Sequence, residues 1–346
     1  MHLIWPEQVQ RTPKSFVCLP FNDYPEPIQE GRGFQILPLR LSVGVLTRIL
    51  ILDLLAERAE FGHGGNQEVV RPFLKSSDVE VLLITPQMQS PIHNKKLNSN
   101  PDITLTKEDV PNWDDEFPFW SLLEVELENK KVPFRRIIMP MVADYLKMKC
   151  WLEGLNIDVV ICSGSRRNVS IWEEWMAPSA LLMHTSSNYG IPTLGICFGH
   201  QLLCHSYGGK VERHDSLSSG IWELELTKIG KEDKLLTSHL MPRDNISGLY
   251  THQDHVISVP FRLDILATTT HNKITAVRVN DGQGNPLPSW GLQFHPEAAK
   301  NRIKRAYEWG HISEDEFKSF KGEHDGAEIL SSFANLVLKY HCRDEL

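Results

Sequence analysis

Four short and almost wholly apolar runs, spaced along the first two hundred residues, constrain this chain more than any other feature. They are Ile49–Leu52, "VEVLLITP" at 79–86, "IDVVIC" at 157–162 and "IPTLGIC" at 191–197. A strand without polar alternation is covered on both faces, which is the mark of a parallel sheet. Between the runs lie helical patterns. "HGGNQEVVRPFLKS" at 63–76 reads as a Gly-rich loop and then a helix. "MVADYLKMKCWLEGL" at 141–155 and "SIWEEWMAPSALLMHTSSNYG" at 170–190 read as helices, the second closing at Gly190. Strands separated by helices build parallel βαβ units. After a helix expected from Phe198, the texture changes to "SSGIWELELTKI", "VISVP", "DILATTTH", "ITAVRVN" and "SWGLQFHPE", and the tail from Lys300 to Leu346 is mostly helical in pattern. The expected fold is α/β: a mostly parallel central sheet with helices on both faces, a β-rich return and a helical C-terminal tail.

Two segments stand apart from that rhythm. Residues 1–44 carry many prolines and little periodicity, and read as an extended N-terminal arm before one domain over 45–346. Residues 87–132 are polar, acidic and Pro-containing, and read as an insertion or lid. Trp113, Phe117, Phe119 and Trp120 cluster there around Asp114, Asp115 and Glu116. Aromatic residues are enriched at interfaces. The insertion is therefore expected to cover the reactive cleft or to dock a partner, with a flap packed on its own domain as the alternative.

Composition excludes some functions. With 36 Lys and Arg against 44 Asp and Glu, the formal net charge is -8, which argues against a nucleic-acid partner bound through a dense basic surface. No run reaches the roughly 18 apolar residues of a membrane span, so no membrane partner is expected. The start "MHLIWPEQVQRTPKSF" has no long apolar run after a basic opening, so no secretory leader is expected. The ending "HCRDEL" is similar to an ER-retention address, but such an address acts only inside the secretory pathway and is set aside. Six scattered cysteines without a CxxC pair fit reduced thiols and a cytoplasmic location.

The chemistry concentrates at "GICFGHQLLC", residues 195–204, where Cys197 stands between Gly195 and Gly199 at a strand-to-helix junction. The spacing G-x-nucleophile-x-G makes a nucleophile elbow, in which small neighbours let the backbone and adjacent strands approach closely. The helix N-terminus beneath favours negative charge on the sulfur, and the Phe198 amide would face a developing oxyanion. The bland alternative is a buried structural cysteine beside two turn glycines. Cys204, seven residues on in an apolar helix face, reads as packing. A nucleophilic thiol needs a base and the base an orienter. In "WGLQFHPEAA" at 290–299, a short strand delivers His295, and Glu297 follows at a spacing that puts both side chains on one side. His295 alone would read as a satisfied strand-end histidine. The two motifs together, about a hundred residues apart, favour catalysis.

"GICFGHQLLCHSYGGKV" with "GLQFHPE" resembles the class I glutamine amidotransferases, from about Arg48 to the end and most strongly over 157–300. The resemblance implies a flavodoxin-like fold and a Cys197–His295–Glu297 triad. It implies an oxyanion hole from the backbone of Ser165 and Phe198, and substrate contacts at Gly164, Gln201, Ser219, Gly220 and Ile221. "DVVICSGSRRNV" departs from the family's loop: Ser165 stands where a second glycine is usual and Arg166 where proline is usual. "YTHQDHV" at 250–256 is similar to a motif of the GMP synthetase-like branch and supplies His252 and Asp254, which are expected to shape the site or a partner face. The implied reaction forms a γ-glutamyl thioester from glutamine, or from another γ-glutamyl small molecule, and releases ammonia. No cofactor or metal is implied, and the histidines lack a tight ligand spacing such as H-E-x-x-H. No second catalytic domain or phosphate loop is read, so a separate ammonia-accepting synthase subunit is the expected partner. Two alternatives remain. The tail looks similar to that of γ-glutamyl peptidases, which implies hydrolysis of a γ-glutamyl peptide or conjugate. A faint likeness of the N-terminal half to homoserine transsuccinylases adds only the same fold, and a non-catalytic binding protein on that fold is the second alternative. Arg166 and Arg167 could bind a substrate carboxylate or an acidic partner; otherwise they are a solvated surface pair.

Overall fold

The computed structural model describes residues 46–56, 59–98, 100–110, 113, 119–238 and 245–341. The arm 1–44 and residues 114–118 of the insertion lie outside them. The first half of the chain runs β1 (Leu46–Leu52), α1 (Gly64–Val70), β2 (Asp78–Ile84), β3 (Leu122–Leu127), β4 (Lys130–Arg136), α2 (Tyr145–Leu155), β5 (Val159–Cys162), α3 (Met176–Tyr189), β6 (Thr193–Ile196) and α4 (Phe198–Ser206). The second half runs β7 (Lys210–Glu223), β8 (Glu225–Leu226), β9 (Ser247–Ser258), β10 (Leu263–Thr268), β11 (Ala276–Asn280), β12 (Pro286–Leu292), α5 (Lys300–Glu308), α6 (Glu314–Ser319) and α7 (Gly326–His341).

Ten strands form one sheet in the order β3-β4-β2-β1-β5-β6-β12-β11-β10-β8. Its centre, from β4 to β12, is parallel, and the outer strands β3, β11, β10 and β8 are antiparallel. The apolar runs are central strands because both of their faces are covered. Ile49 and Ile51 enter one core with Phe73, Trp290 and Phe333, while Leu50 and Leu52 enter the other with Trp151, Met176 and Leu202. Successive side chains of a strand point to opposite faces, so a continuous apolar run is what two cores require. α2 opens on an Asp144 cap whose carboxylate accepts from the Lys147 amide at 3.1 Å. α3 closes on Gly190 at φ +77°, as expected.

Three regions depart from the sequence expectation. Gly64 and Gly65 are buried inside α1 and not in a loop before it. A Cβ on Gly64 would lie 3.0 Å from the Arg302 guanidinium, and one on Gly65 3.2 Å from Glu297 Cγ. The glycines let α1 pack against residues more than two hundred positions away. The end of the expected insertion is also regular structure: β3 and β4 form a hairpin on the sheet edge, turning through Glu128 and Asn129 at φ +51° and +60°. Several described residues in the rest of 87–132 are packed. Leu97, Leu105, Val110 and Trp113 bury against Ile138, and Trp151 Nε1 donates to the Pro101 carbonyl at 3.0 Å. Finally, β7 and β9 leave the main sheet and pair only with each other, as a long antiparallel ribbon. Among the described residues, no helix is long and apolar enough to cross a membrane.

Candidate active site

Cys197 links β6 to α4 at φ +50°, ψ -101°, a conformation that costs an L-residue energy and persists only when its surroundings impose it. Those surroundings are its glycines. A Cβ on Gly195 would sit 2.4 Å from the Gly199 carbonyl oxygen, and one on Gly199 2.3 Å from the Cys162 carbonyl oxygen. The first turn of α4 therefore lies directly on the ends of β5 and β6. The Cys197 amide donates to the Leu292 carbonyl at 2.8 Å, tying the elbow to β12. Phe198 is the first residue of α4, so its N–H has no intrahelical acceptor.

β12 delivers the second component. Beyond Leu292 the chain carries Gln293, then His295, whose amide donates to the Leu249 carbonyl of β9 at 2.7 Å. His295 Nδ1 bonds the Glu297 carboxylate at 2.8 Å. Its Nε2 is buried, and Gly164 closes on the ring edge, where a Cβ would meet Cε1 at 3.0 Å. Burial works against a charged ring here, but attraction to Cys197 and Glu297 outweighs it and holds the imidazolium well above its usual range. Cys204 is the contrast: it is fully buried, and burial alone pushes its thiol far up. Cys162 behaves likewise. Cys162, Cys197 and Cys204 are free thiols, whereas Cys150 is disulfide-bonded, against the expectation of six reduced thiols.

The loop after β5 is pinned from two sides. Ser165 Oγ donates to the Leu54 carbonyl at 3.3 Å, and the Leu54 amide donates to Ser163 Oγ at 3.0 Å. The Asp254 carboxylate accepts from the amide and the hydroxyl of Ser170, both at 2.8 Å. Gln201 is buried; its Nε2 donates to the Asp254 carbonyl at 2.9 Å and to Gln293 Oε1 at 3.2 Å. Gln293 Nε2 in turn approaches Cys197 Sγ at 3.7 Å. His252 Nδ1 bonds the Asp254 carbonyl at 2.9 Å.

Cys197, Phe198, Ser165, Gln201, His295 and Glu297 line one cleft of about 350 Å³. Gly164 abuts His295 without lining it. Ser219, Gly220 and Ile221 lie on β7 outside the cleft, where Ser219 Oγ and Ser319 Oγ are 3.0 Å apart. The ribbon's contribution to the cleft comes instead from Leu249 and 251–254 of β9 and from Arg213 and Leu217 of β7. No described residue of 87–132 lines the cleft; Leu97, Leu105, Val110 and Trp113 are instead spent on a small core of their own. Sequence reasoning missed Gln293, although it stands two positions before His295, just past the end of β12. It also missed Phe61 and Phe320, which tertiary packing brings to the cleft. Among the described residues no group of three or more His, Cys, Asp or Glu side chains is arranged to hold a metal ion.

Comparison with known proteins matches the sequence to one family. The family described as "Glutamine amidotransferase class-I" matches residues 128–308, just over half of the chain. A subunit of the glutamine-hydrolyzing GMP synthase of Methanothermobacter thermautotrophicus is 37% identical over 112 residues, covering 32% of this chain and 54% of that protein. Its counterpart in Methanocaldococcus jannaschii is 38% identical over 114 residues, covering 32% and 54%. The chain thus spans about half the length of the curated relatives it matches. A solved glutamine amidotransferase from Thermotoga maritima is 18% identical, with a TM-score of 0.49 over 85% of this chain and 98% of that one. On the family match, the chain belongs to the class-I glutamine amidotransferases.

Proposed function

We propose that this protein hydrolyses the side-chain amide of glutamine through an acyl-enzyme on Cys197, and passes the ammonia to a separate acceptor subunit. The observation that carries the reading is the alignment of Glu297, His295 and Cys197 in one cleft, with the imidazolium held charged between the other two. Cys197 Sγ attacks the γ-carbonyl carbon, and the negative oxygen is met by the backbone N–H groups of Phe198 and Ser165. As the carbon–nitrogen bond breaks, His295 gives its proton to the departing nitrogen, which leaves as ammonia. Water, losing a proton to His295, then attacks the thioester, and glutamate and the thiol are released. Glu297 keeps the ring in the tautomer and orientation that both steps need. Gly164 and Gln201 shape the acyl pocket. Ile221 packs from β7 against the apolar residues of its wall, and Ser219 and Gly220 lie outside the cleft.

The two archaeal relatives are themselves one subunit of a synthase, which supports a synthase partner for this chain. Cys197 works only when reduced, and Cys162, Cys197 and Cys204 are free thiols, which supports a cytoplasmic setting; the Cys150 disulfide points the other way. The test is labelling with an electrophilic glutamine analogue, read by mass spectrometry. Cys197 is expected to be the labelled thiol, Cys197→Ala to lose labelling and turnover, and His295→Asn to lose ~10²–10⁴-fold in rate. Labelling at Cys162 or Cys204 with Cys197 untouched, or near-normal turnover by His295→Asn, would overturn the triad.

A further inference from the structure

The cleft holds more than glutamine can use. Its volume of about 350 Å³ lies in the ~300–1,000 Å³ range that takes drug-sized ligands. One wall is a continuous apolar cluster: Leu249, Ala298, Ile303 and Phe320, with Phe61 and Ile312 packed against them. Leu249, Ala298 and Ile303 lie within the 128–308 stretch that matches the family, and Phe61, Ile312 and Phe320 extend the wall from outside it. It is held in place: Tyr307 stacks on Phe317 at 4.5 Å, and Ser319 meets Ser219 of the ribbon. Glutamine has no apolar group to set against such a surface.

The polar lining is also asymmetric. Asp254 is taken by Ser170, Glu297 by His295, and Glu316 by the Ser313 cap of α6. Arg166 and Arg213 line the same cleft, and among the described residues neither is ion-paired; Arg213 donates only to the Gln253 amide. In a chain of net charge -8, two unmatched guanidinium groups at one opening form a local site for an anion. Arginine favours carboxylates through its planar fork of donors.

From the apolar wall and the unmatched arginines, we infer that this site also hydrolyses γ-glutamyl amides whose amine is an apolar α-amino acid. The inference rests on the acyl-enzyme reading of Cys197. The γ-glutamyl group takes the place glutamine would take. The apolar side chain of the leaving amino acid packs on Ile312 and Phe320, and its carboxylate meets Arg166 and Arg213. The bonding changes balance as before: the sulfur–carbon bond forms, the carbon–nitrogen bond breaks, and His295 protonates the nitrogen, which now leaves as the free amino acid. Water then releases glutamate.

The test compares four substrates with the full chain: glutamine, γ-glutamyl-phenylalanine, γ-glutamyl-phenethylamine, which lacks the carboxylate, and γ-glutamyl-glycine, which lacks the side chain. γ-Glutamyl-phenylalanine is expected to have the highest kcat/KM, by roughly tenfold or more over each of the others. The double variant Arg166→Gln, Arg213→Gln should collapse its advantage over the phenethylamide, and Phe320→Ala its advantage over the glycine conjugate. Calorimetric binding of the four ligands to Cys197→Ala gives the same ranking without turnover. Failure of Cys197 to react with any substrate or electrophile overturns the acyl-enzyme reading, and the binding ranking then still decides the recognition claim. Glutamine preferred over γ-glutamyl-phenylalanine in both assays overturns the inference alone. So does an unchanged carboxylate advantage in the arginine double variant, which would assign those arginines to an acidic protein surface.

Discussion

At Cys197 the backbone itself carries the argument, because a non-glycine residue at φ +50° is a conformation imposed by neighbours. The neighbours are carbonyl oxygens that leave no room for a Cβ at Gly195 or Gly199. Gly199→Ala would place its methyl 2.3 Å from the Cys162 carbonyl oxygen, a contact that backbone alone can relieve. The substitution is expected to cost ~1–3 kcal/mol by overpacking and to move the elbow off β5. Urea unfolding measures the first effect, and electrophile labelling of Cys197 the second. A folded Gly199→Ala protein labelled at the wild-type rate would show that the close approach is not what presents the thiol. This much was legible in the sequence, because G-x-C-x-G is a local pattern. Gln293 was legible in principle from its place two residues before His295. Asp254 as the anchor of Ser170 was not, because the two are 84 residues apart in the chain.

Among the elements, the apolar runs declared themselves as central strands, whereas the β3–β4 hairpin was absorbed into the expected insertion. An edge strand carries charges on its open side, and Leu122–Leu127 alternates with glutamates and leaves Leu122 exposed. Its turn uses Glu128 and Asn129 in place of the Asn-Gly pair that flags such hairpins. The β7–β9 ribbon holds a different device. His214 and His255 lie 5.2 Å apart between ring centres, His255 and His252 4.6 Å, and His252 and His271 5.8 Å. Burial, then the neighbouring His255, pushes His252 down to about 3, and the same causes push His271 down to about 4. Asp254 faces His255 and raises it, but burial and His214 prevail. The folded state therefore binds fewer protons than the unfolded chain once pH falls below about 6.5. The stabilisation is fully present above that pH and is lost as pH drops toward 4 and then 3. Each such histidine costs ~1.4 kcal/mol per pH unit in that window. Melting temperature followed from pH 7.5 to 4.5 should fall less steeply for His271→Gln than for the wild type. Equal slopes would remove His271 from the acid sensitivity of the fold.

For the whole molecule, the family match begins at residue 128, yet the sheet depends on β1 and β2, which precede it, and the cleft depends on what they hold. The connecting piece is Arg136, a buried cation at the end of β4. Its guanidinium pairs with Asp53 at 2.8 Å and lies over the rings of Trp113 and Trp120 at 5.1 and 4.6 Å. Asp53 also accepts from Asn66 of α1 at 3.0 Å. One residue beyond Asp53, Leu54 bonds Ser163 and Ser165 of the loop proposed to carry the oxyanion donor. Trp113 and Trp120 of the insertion are thus connected to the loop behind the cleft through Arg136 and Asp53, and none of its described residues lines the cleft. Composition hid this, because an acidic, aromatic-studded segment reads as surface until a single buried arginine is seen lying over Trp113 and Trp120. Breaking a buried ion pair by removing one partner costs ~3–5 kcal/mol, since the other charge is left unmatched. Arg136→Met should therefore lose stability on that scale in urea unfolding, and the added change Asp53→Leu should restore part of it. Turnover gives the independent reading. If the strut positions the loop, Arg136→Met assayed well below its melting temperature loses kcat more than it raises KM, because the misplaced donor serves the transition state. Full kcat in a destabilised but folded Arg136→Met protein would confine the pair to stability and sever the insertion from the chemistry at Cys197.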